Sequence, residues 1–266
     1  MGPSKRVPNP PDYHVVSLTY SVKHTEDVTY DAPPPVAFET TEARFHLADA
    51  KLACYMKIHF AAEAEARAVV EPVLRAWELA ADLRLGIRKL RFQFEKAEVI
   101  DRTPMPPGRG NIYAHLKVVS ALTASLGTVS THVTLQAYPE PPGDFRITPD
   151  VETLSNRYQG YRDGREPLLS MAYFCLTVLE AAAGGRREAA TTYNIEYDVL
   201  KKLGELTSVR GDPRTARKML TPPMPPLSGA EDAWLQETIK QIIWRVGDQR
   251  SPANLPPITM ADLPRL

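Results

Sequence analysis

The stretch from 167 to 183, PLLSMAYFCLTVLEAAA, constrains the fold more than any other, because as a helix it is apolar on every side. Pro167 suits a first helical position, where a missing N–H costs nothing and φ is already near the helical value. Gly184-Gly185 follows the last periodic residue, where a left-handed residue closes a helix without strain. A helix that is hydrophobic all round either crosses a membrane or sits at the centre of a globular fold. A span needs roughly 20 apolar residues. This stretch is shorter, carries Glu180 and is flanked by amphipathic segments, so it predicts a buried core helix.

The neighbouring segments supply what such a helix needs around it. Asp150 is placed to cap a helix bearing Leu154, Tyr158 and Tyr161, stopped at Gly164. Residues 186–206 and a short basic segment at 212–219 read as further helices. Ser228 and Glu231 have the spacing of a capping box. The helix they open turns Leu235, Ile239, Ile242, Ile243 and Val246 inward and ends at Gly247. No strand pattern occurs after residue 150, which predicts an all-α helical bundle over 150–248.

The first half has a different period. Residues 13–22 (YHVVSLTYSV) are rich in β-branched and aromatic side chains and read as a strand. Residues 43–47 and 52–60 read as two more, with Leu52, Cys54, Met56 and Ile58 alternating with Ala53, Tyr55, Lys57 and His59. Over 61–85 the period becomes helical: Val70, Val73, Leu74, Trp77, Ala80 and Ala81 share one stripe, and Gly86 is the stop. Pro72 inside that pattern is expected to kink the helix or begin a second segment. Alternation returns at Leu90, Phe92 and Phe94, and 112–122 with 129–138 read as a hairpin. Three strands, one helix and three strands predict an antiparallel β-rich domain with one packed helix over 13–148. The fold class is therefore α+β, with a disordered tail at 1–12 and a proline-rich tail at 249–266.

Composition narrows the partners. The chain has 32 residues of each charge sign, so no whole-domain field draws in nucleic acid or an anionic membrane. Its 25 prolines, roughly twice ordinary usage, cluster and thereby mark loops and tails. Both cysteines, Cys54 and Cys175, sit in apolar settings, as unpaired thiols do in a reducing compartment. The polar, proline-rich start holds no secretory segment, and Pro3 and Arg6 break the myristoylation pattern that Gly2 begins. A cytoplasmic protein without a membrane partner is expected.

Catalytic motifs are missing. There is no G-x-S-x-G, no Walker-type loop and no G-x-G-x-x-G after a strand. All six histidines precede the bundle, at 14, 24, 46, 59, 115 and 132, without H-x-x-x-H or C-x-x-C spacing. Exposed positions on a sheet face account for them, and neither a metal nor a cofactor is expected. His115 and His132 would be neighbours on facing strands.

Two features of the helical half rise above background, each with a structural alternative: the packing of two bundle helices for the first and a solvated basic face for the second. Residues 186–205, RREAATTYNIEYDVLKKLGE, resemble a helix-turn-helix unit in spacing: Ala190 at the close-packed position, Asn194 at the turn, then Ile195, Leu200 and Leu203 buried. The second helix begins Glu196-Tyr197-Asp198, setting two carboxylates where phosphate contacts would fall. The second feature is SVRGDPRTARK at 208–218, with Arg210, Arg214, Arg217 and Lys218 able to converge on a phosphate or a partner's carboxylate.

A β-rich part followed by a helical bundle, with an arginine near the start of a late helix, resembles bacterial proteins carrying HEPN-type domains, over residues 150–247. Ribonucleases of that family use Arg-x(4–6)-His, which implies RNA cleavage with the histidine as acid/base. With Arg210 as the motif arginine, the histidine positions hold Thr215, Ala216 and Arg217, and the helical half has no histidine at all. The resemblance therefore implies a non-catalytic, dimerising or nucleic-acid-touching relative.

The expected function is a non-enzymatic regulatory or interaction protein. Its sheet domain would bind a small ligand or a protein partner. Its bundle would serve homodimerisation or a weak nucleic-acid contact through Arg210, Arg214, Arg217 and Lys218. One alternative is a DNA-binding transcriptional regulator using 186–205. Another is an enzyme whose inter-domain site, lined by His115 or His132, has no linear motif.

Overall fold

The computed structural model describes residues 11–86, 88–103, 132–210, 225–251 and 254–266. It is a mixed α+β protein that divides into two compact units, Met1–Pro141 and Pro142–Leu266.

In the first unit, strands β1 (Tyr13–Lys23), β3 (Val36–Glu39), β4 (Ala43–Ala48), β5 (Lys51–Met56) and β6 (Arg91–Asp101) form one sheet in the order β3-β4-β5-β1-β6, every pairing antiparallel. Since β5 and β6 both run antiparallel to β1, they are parallel to each other. Helix α1 (Glu63–Leu85) is the long crossover that parallel strands require. One face of the sheet carries Leu18, Tyr20, Val22, Phe45, Leu47, Leu52 and Cys54, all buried against Val70, Leu74 and Trp77 of α1. That is the stripe read from the sequence, with its stop at Gly86 in a positive-φ conformation. Pro72 does not divide the helix, which runs through it from 63 to 85.

Three expectations for this unit change. β5 ends at Met56, so Ile58 is exposed instead of turned into the core. His14 is buried, its ring stacked on that of His59 at 5.2 Å, whereas His24, His46, His59 and His132 are exposed. The described end of the expected hairpin, β7 (Val133–Leu135), lies outside the five-stranded sheet and pairs in parallel with β2 (Val28–Tyr30). Residues 112–122, with His115, fall outside the described residues.

In the second unit, helices α2 (Pro149–Arg162), α4 (Arg186–Thr192), α5 (Tyr197–Val209) and α6 (Gly229–Gly247) surround α3 (Leu168–Ala183), the helix formed by the apolar stretch. In α3, Leu168, Leu169, Met171, Ala172, Cys175, Leu176 and Leu179 are buried, and Gly184 closes it at φ 88°. Pro167 sits one position earlier than expected, as the N-cap. For α2 the cap is Thr148, whose hydroxyl accepts from Val151 N. Pro149 presets the first turn and displaces the expected Asp150 into it. α6 opens with the Ser228–Glu231 capping box read from the sequence. Burial pushes the Cys175 thiol up to about 12, and both cysteines are free and buried. No single described helix is long and apolar enough to cross a membrane.

The stretches expected at either edge of the bundle belong inside it. Residues 142–148 and 249–266 are part of the second unit. Phe145 is buried and stacked on Trp244 at 4.9 Å. Leu255, Ile258 and Leu263 of the expected tail are buried as well.

Candidate functional sites

Of the four basic residues singled out in the sequence, Arg210 is described, while Arg214, Arg217 and Lys218 fall outside the described residues. Arg210 follows α5, and its guanidinium donates to Glu231 Oε1 from Nε at 3.0 Å and from Nη2 at 2.9 Å. The same carboxylate accepts from Ser228 N at the start of α6. These two contacts, the Arg210 bond first, hold Glu231 below the usual carboxylate range. Arg210 thus joins the end of α5 to the start of α6, across the segment that carries the other three cations. An incoming anion would have to compete with Glu231 for it.

The helix-turn-helix pattern corresponds to α4 and α5. Asn194 stands between them at φ 46°, the left-handed position predicted for it, and Ile195, Leu200 and Leu203 are buried. The buried small residue is Ala189, however, and Ala190 is only half-buried. The start of α5 is not free for a ligand. Residues 254–263 return along the turn: Glu196 N donates to Ile258 O at 2.8 Å, and Ile258 N to Asn194 O at 3.1 Å. Asn194 Nδ2 donates to Leu255 O, and Met260 N to the Glu196 carboxylate. Beneath them the buried Arg245 donates to the Tyr193, Asn194 and Pro256 carbonyls at 2.6–3.0 Å. A cation taken from water needs such partners, and here three carbonyls provide them. The exposed surface at this end carries Glu196 and Asp198, of the sign that repels phosphate.

A groove of about 650 Å³ lies in the first unit, between α1 and strands β1 and β6. Its charged lining comes from one row of α1: Arg67, Glu71, Arg75 and Glu78, spaced three or four apart and so on one side of the helix. Arg67 Nε donates to Glu71 at 2.6 Å and Arg67 Nη1 to Glu63 at 3.3 Å, while Arg75 donates to Glu78 at 3.3 Å. Phe92 and Phe94 of β6 form the aromatic wall, with the Arg67 guanidinium 4.4 Å from the Phe94 ring centre. Glu78 is buried and accepts from Phe92 N at 2.8 Å. Burial raises its carboxyl above the usual range, and the Phe92 N–H, Arg91 and Arg75 oppose that shift.

Tyr20 of β1 lines the same groove. It is 2% exposed, and its hydroxyl finds no acceptor, because the Arg67 guanidinium beside it can only donate. Burial pushes that hydroxyl up, so it stays protonated and remains a donor. A buried donor without an acceptor costs about 1–3 kcal/mol, and a cost of that kind inside a groove marks a place where a partner can add binding energy.

Sequence reasoning passed over this groove. The charges of α1 read as a solvated helix face, and Tyr20 as one more core residue of β1. Glu78, one residue past Trp77 and within the apolar stripe, was the available signal.

No protein-family model, curated protein or solved structure matches the chain.

Proposed function

We propose that the chain is a non-catalytic binding protein with a regulatory role, taking a small ligand in the groove between α1 and the sheet. The observation that carries this reading is the groove itself. Its volume lies within the range of ligand pockets, about 300–1,000 Å³; it joins an aromatic wall to charges of both signs; and its buried Tyr20 hydroxyl lacks an acceptor. Serine, threonine, cysteine, lysine and histidine, which supply most nucleophile–base pairs, are not among its lining residues. The helical unit, in the HEPN-like reading of residues 150–247, would serve self-association or a weak nucleic-acid contact. The two buried free thiols suit a cytoplasmic setting.

Ala68→Trp tests the groove. Ala68 is exposed and lines it, so an indole there fills the space without entering the core. In a thermal-shift screen of amino acids, nucleosides and organic acids, at least one compound is expected to raise the Tm of the wild type and leave the variant unmoved. If every compound acts equally on both, the groove is not the binding site.

A second reading, DNA binding through 186–205, is favoured by the left-handed Asn194 between α4 and α5. The docked 254–263 segment and the carboxylates of Glu196 and Asp198 weigh against that surface. Any nucleic-acid contact is therefore expected to run through the basic cluster. Titration with duplex DNA and single-stranded RNA at two salt concentrations should show salt-dependent binding. Arg214→Ala with Arg217→Ala should lower the log–log salt slope by about 2, roughly one per lost phosphate contact. An unchanged slope removes the cluster from consideration, and light scattering on the same samples reports self-association.

A further inference from the structure

The groove's charges say more about its occupant than its size does. Among the lining residues Arg67 pairs with Glu71 at 2.6 Å and Arg75 with Glu78 at 3.3 Å, so these four charges cancel and give an ion of either sign no net attraction. A carboxylate alone that drew Arg67 away would leave Glu71 without its cation; an amine alone would take Glu71 from Arg67 and leave it only the longer contact to Glu63 at 3.3 Å. A molecule bearing both charges satisfies both residues at once. Two uncharged groups point the same way. The Tyr20 hydroxyl is a donor awaiting an acceptor. Pro72, in the groove lining, has no N–H to return to the carbonyl of Ala68, a residue that also lines the groove, so that carbonyl lacks its usual helical donor. Leu74, Phe92 and Phe94 supply an apolar floor beside them.

Building on the reading of the groove as a ligand site, we infer that it takes an amphipathic zwitterion, an α-amino acid with a large apolar or aromatic side chain. The ligand's carboxylate draws Arg67 from Glu71 and, as Arg67 moves off, receives the Tyr20 hydroxyl. Its ammonium replaces Arg67 at Glu71 and takes the Ala68 carbonyl. Its side chain lies on Phe92 and Phe94. Both charges of the displaced pair stay compensated, and the phenol gains its acceptor.

Three probes separate the classes in calorimetric titrations: phenylalanine, which carries both charges; N-acetylphenylalanine, only the carboxylate; and phenethylamine, only the ammonium. Phenylalanine is expected to bind at least tenfold more tightly than either of the others. Tyr20→Phe should weaken phenylalanine about tenfold, the scale of a hydrogen bond to a charged group, while leaving the Tm unchanged or slightly higher, because it deletes a donor with no acceptor. Comparable binding of N-acetylphenylalanine or phenethylamine overturns the zwitterion, as does wild-type affinity in Tyr20→Phe. If none of the three binds, the zwitterion is overturned as well. Ala68→Trp then tells the two failures apart: a screened compound whose effect it abolishes preserves the groove as a site, and none doing so removes both.

Discussion

Asp82→Ala is expected to destabilise the first unit by about 3–4 kcal/mol, the cost of leaving a partly buried cation without its carboxylate. Asp82 is 3% exposed and receives Arg91 on both oxygens, at 2.9 and 2.6 Å. Its Oδ1 also accepts from Arg88 N at 2.9 Å. Arg88 stands at φ 61°, a conformation that a residue with a Cβ holds only when its surroundings fix it. One carboxylate therefore pins the end of α1, the turn after it and the first residue of β6. A urea titration followed on the amide signals of β1 and β6 measures the loss. A change below about 1 kcal/mol would mean that the pair is solvated and that apolar packing alone sets the register. Converting both partners, Asp82→Leu with Arg91→Met, should recover most of the loss, because apolar side chains of similar volume replace a buried pair at little cost.

Gly247→Ala provides the second large effect, and its sign is the informative part. By helix propensity alone, alanine should stabilise the last turn of α6 by about 1 kcal/mol. The structure predicts a loss of about 2 kcal/mol instead. A Cβ at Gly247 would fall 2.2 Å from Phe145 Cε2 and 2.7 Å from Cδ2. Phe145 cannot simply move away: it is buried, stacked on Trp244, and its neighbours are tied by Arg146 N to Gly247 O and Gln249 N to Asp144 O. Overpacking a fixed ring costs about 1–3 kcal/mol beyond any helix gain. Thermal unfolding of Gly247→Ala, with Gly247→Ala/Phe145→Leu as the relief variant, tests this. Stabilisation of the single variant would show that Phe145 is not held against the helix.

Gly247 also shows the limit of reading punctuation. In the sequence it is the stop of α6, equivalent to Gly86 and Gly184. Those two do adopt positive φ at helix ends, whereas Gly247 does not, and its requirement is space for an aromatic ring 102 residues earlier in the chain. Arg245 behaves in the same way. It lies in the last turn of α6, is buried, and organises the 254–263 segment through three carbonyls, two of them on the α4–α5 turn. The proline-rich end reads as a tail because its composition is that of one, whereas its buried Leu255, Ile258 and Leu263 and its hydrogen bonds to Asn194, Glu196 and Arg245 make it part of the unit.

The candidate site divides along the same line. Arg210 was legible as a cation after a helix, but its partner Glu231 lies on another helix and no local pattern links them. The groove was legible only as fragments: a charged row at helical spacing, and two aromatic residues in alternation on a strand. The sequence by itself determined the elements whose cause is local. β-branched and alternating residues made β1, β4, β5 and the start of β6, though β3 had no such signal; period 3.6 made α1 and the all-round apolar run made α3, with Gly86 and Gly184 at their ends, Ser228 at the start of α6 and Asn194 at the α4–α5 turn. Tertiary structure decided everything that depends on which surfaces meet. It placed α1 as a crossover between β5 and β6, drew the 254–263 segment onto the α4–α5 turn, and left a tyrosine hydroxyl of β1 without an acceptor beside an arginine of α1. Periodicity records how a segment divides between core and solvent, and it carries no record of the distant residue that fills the other side of a contact.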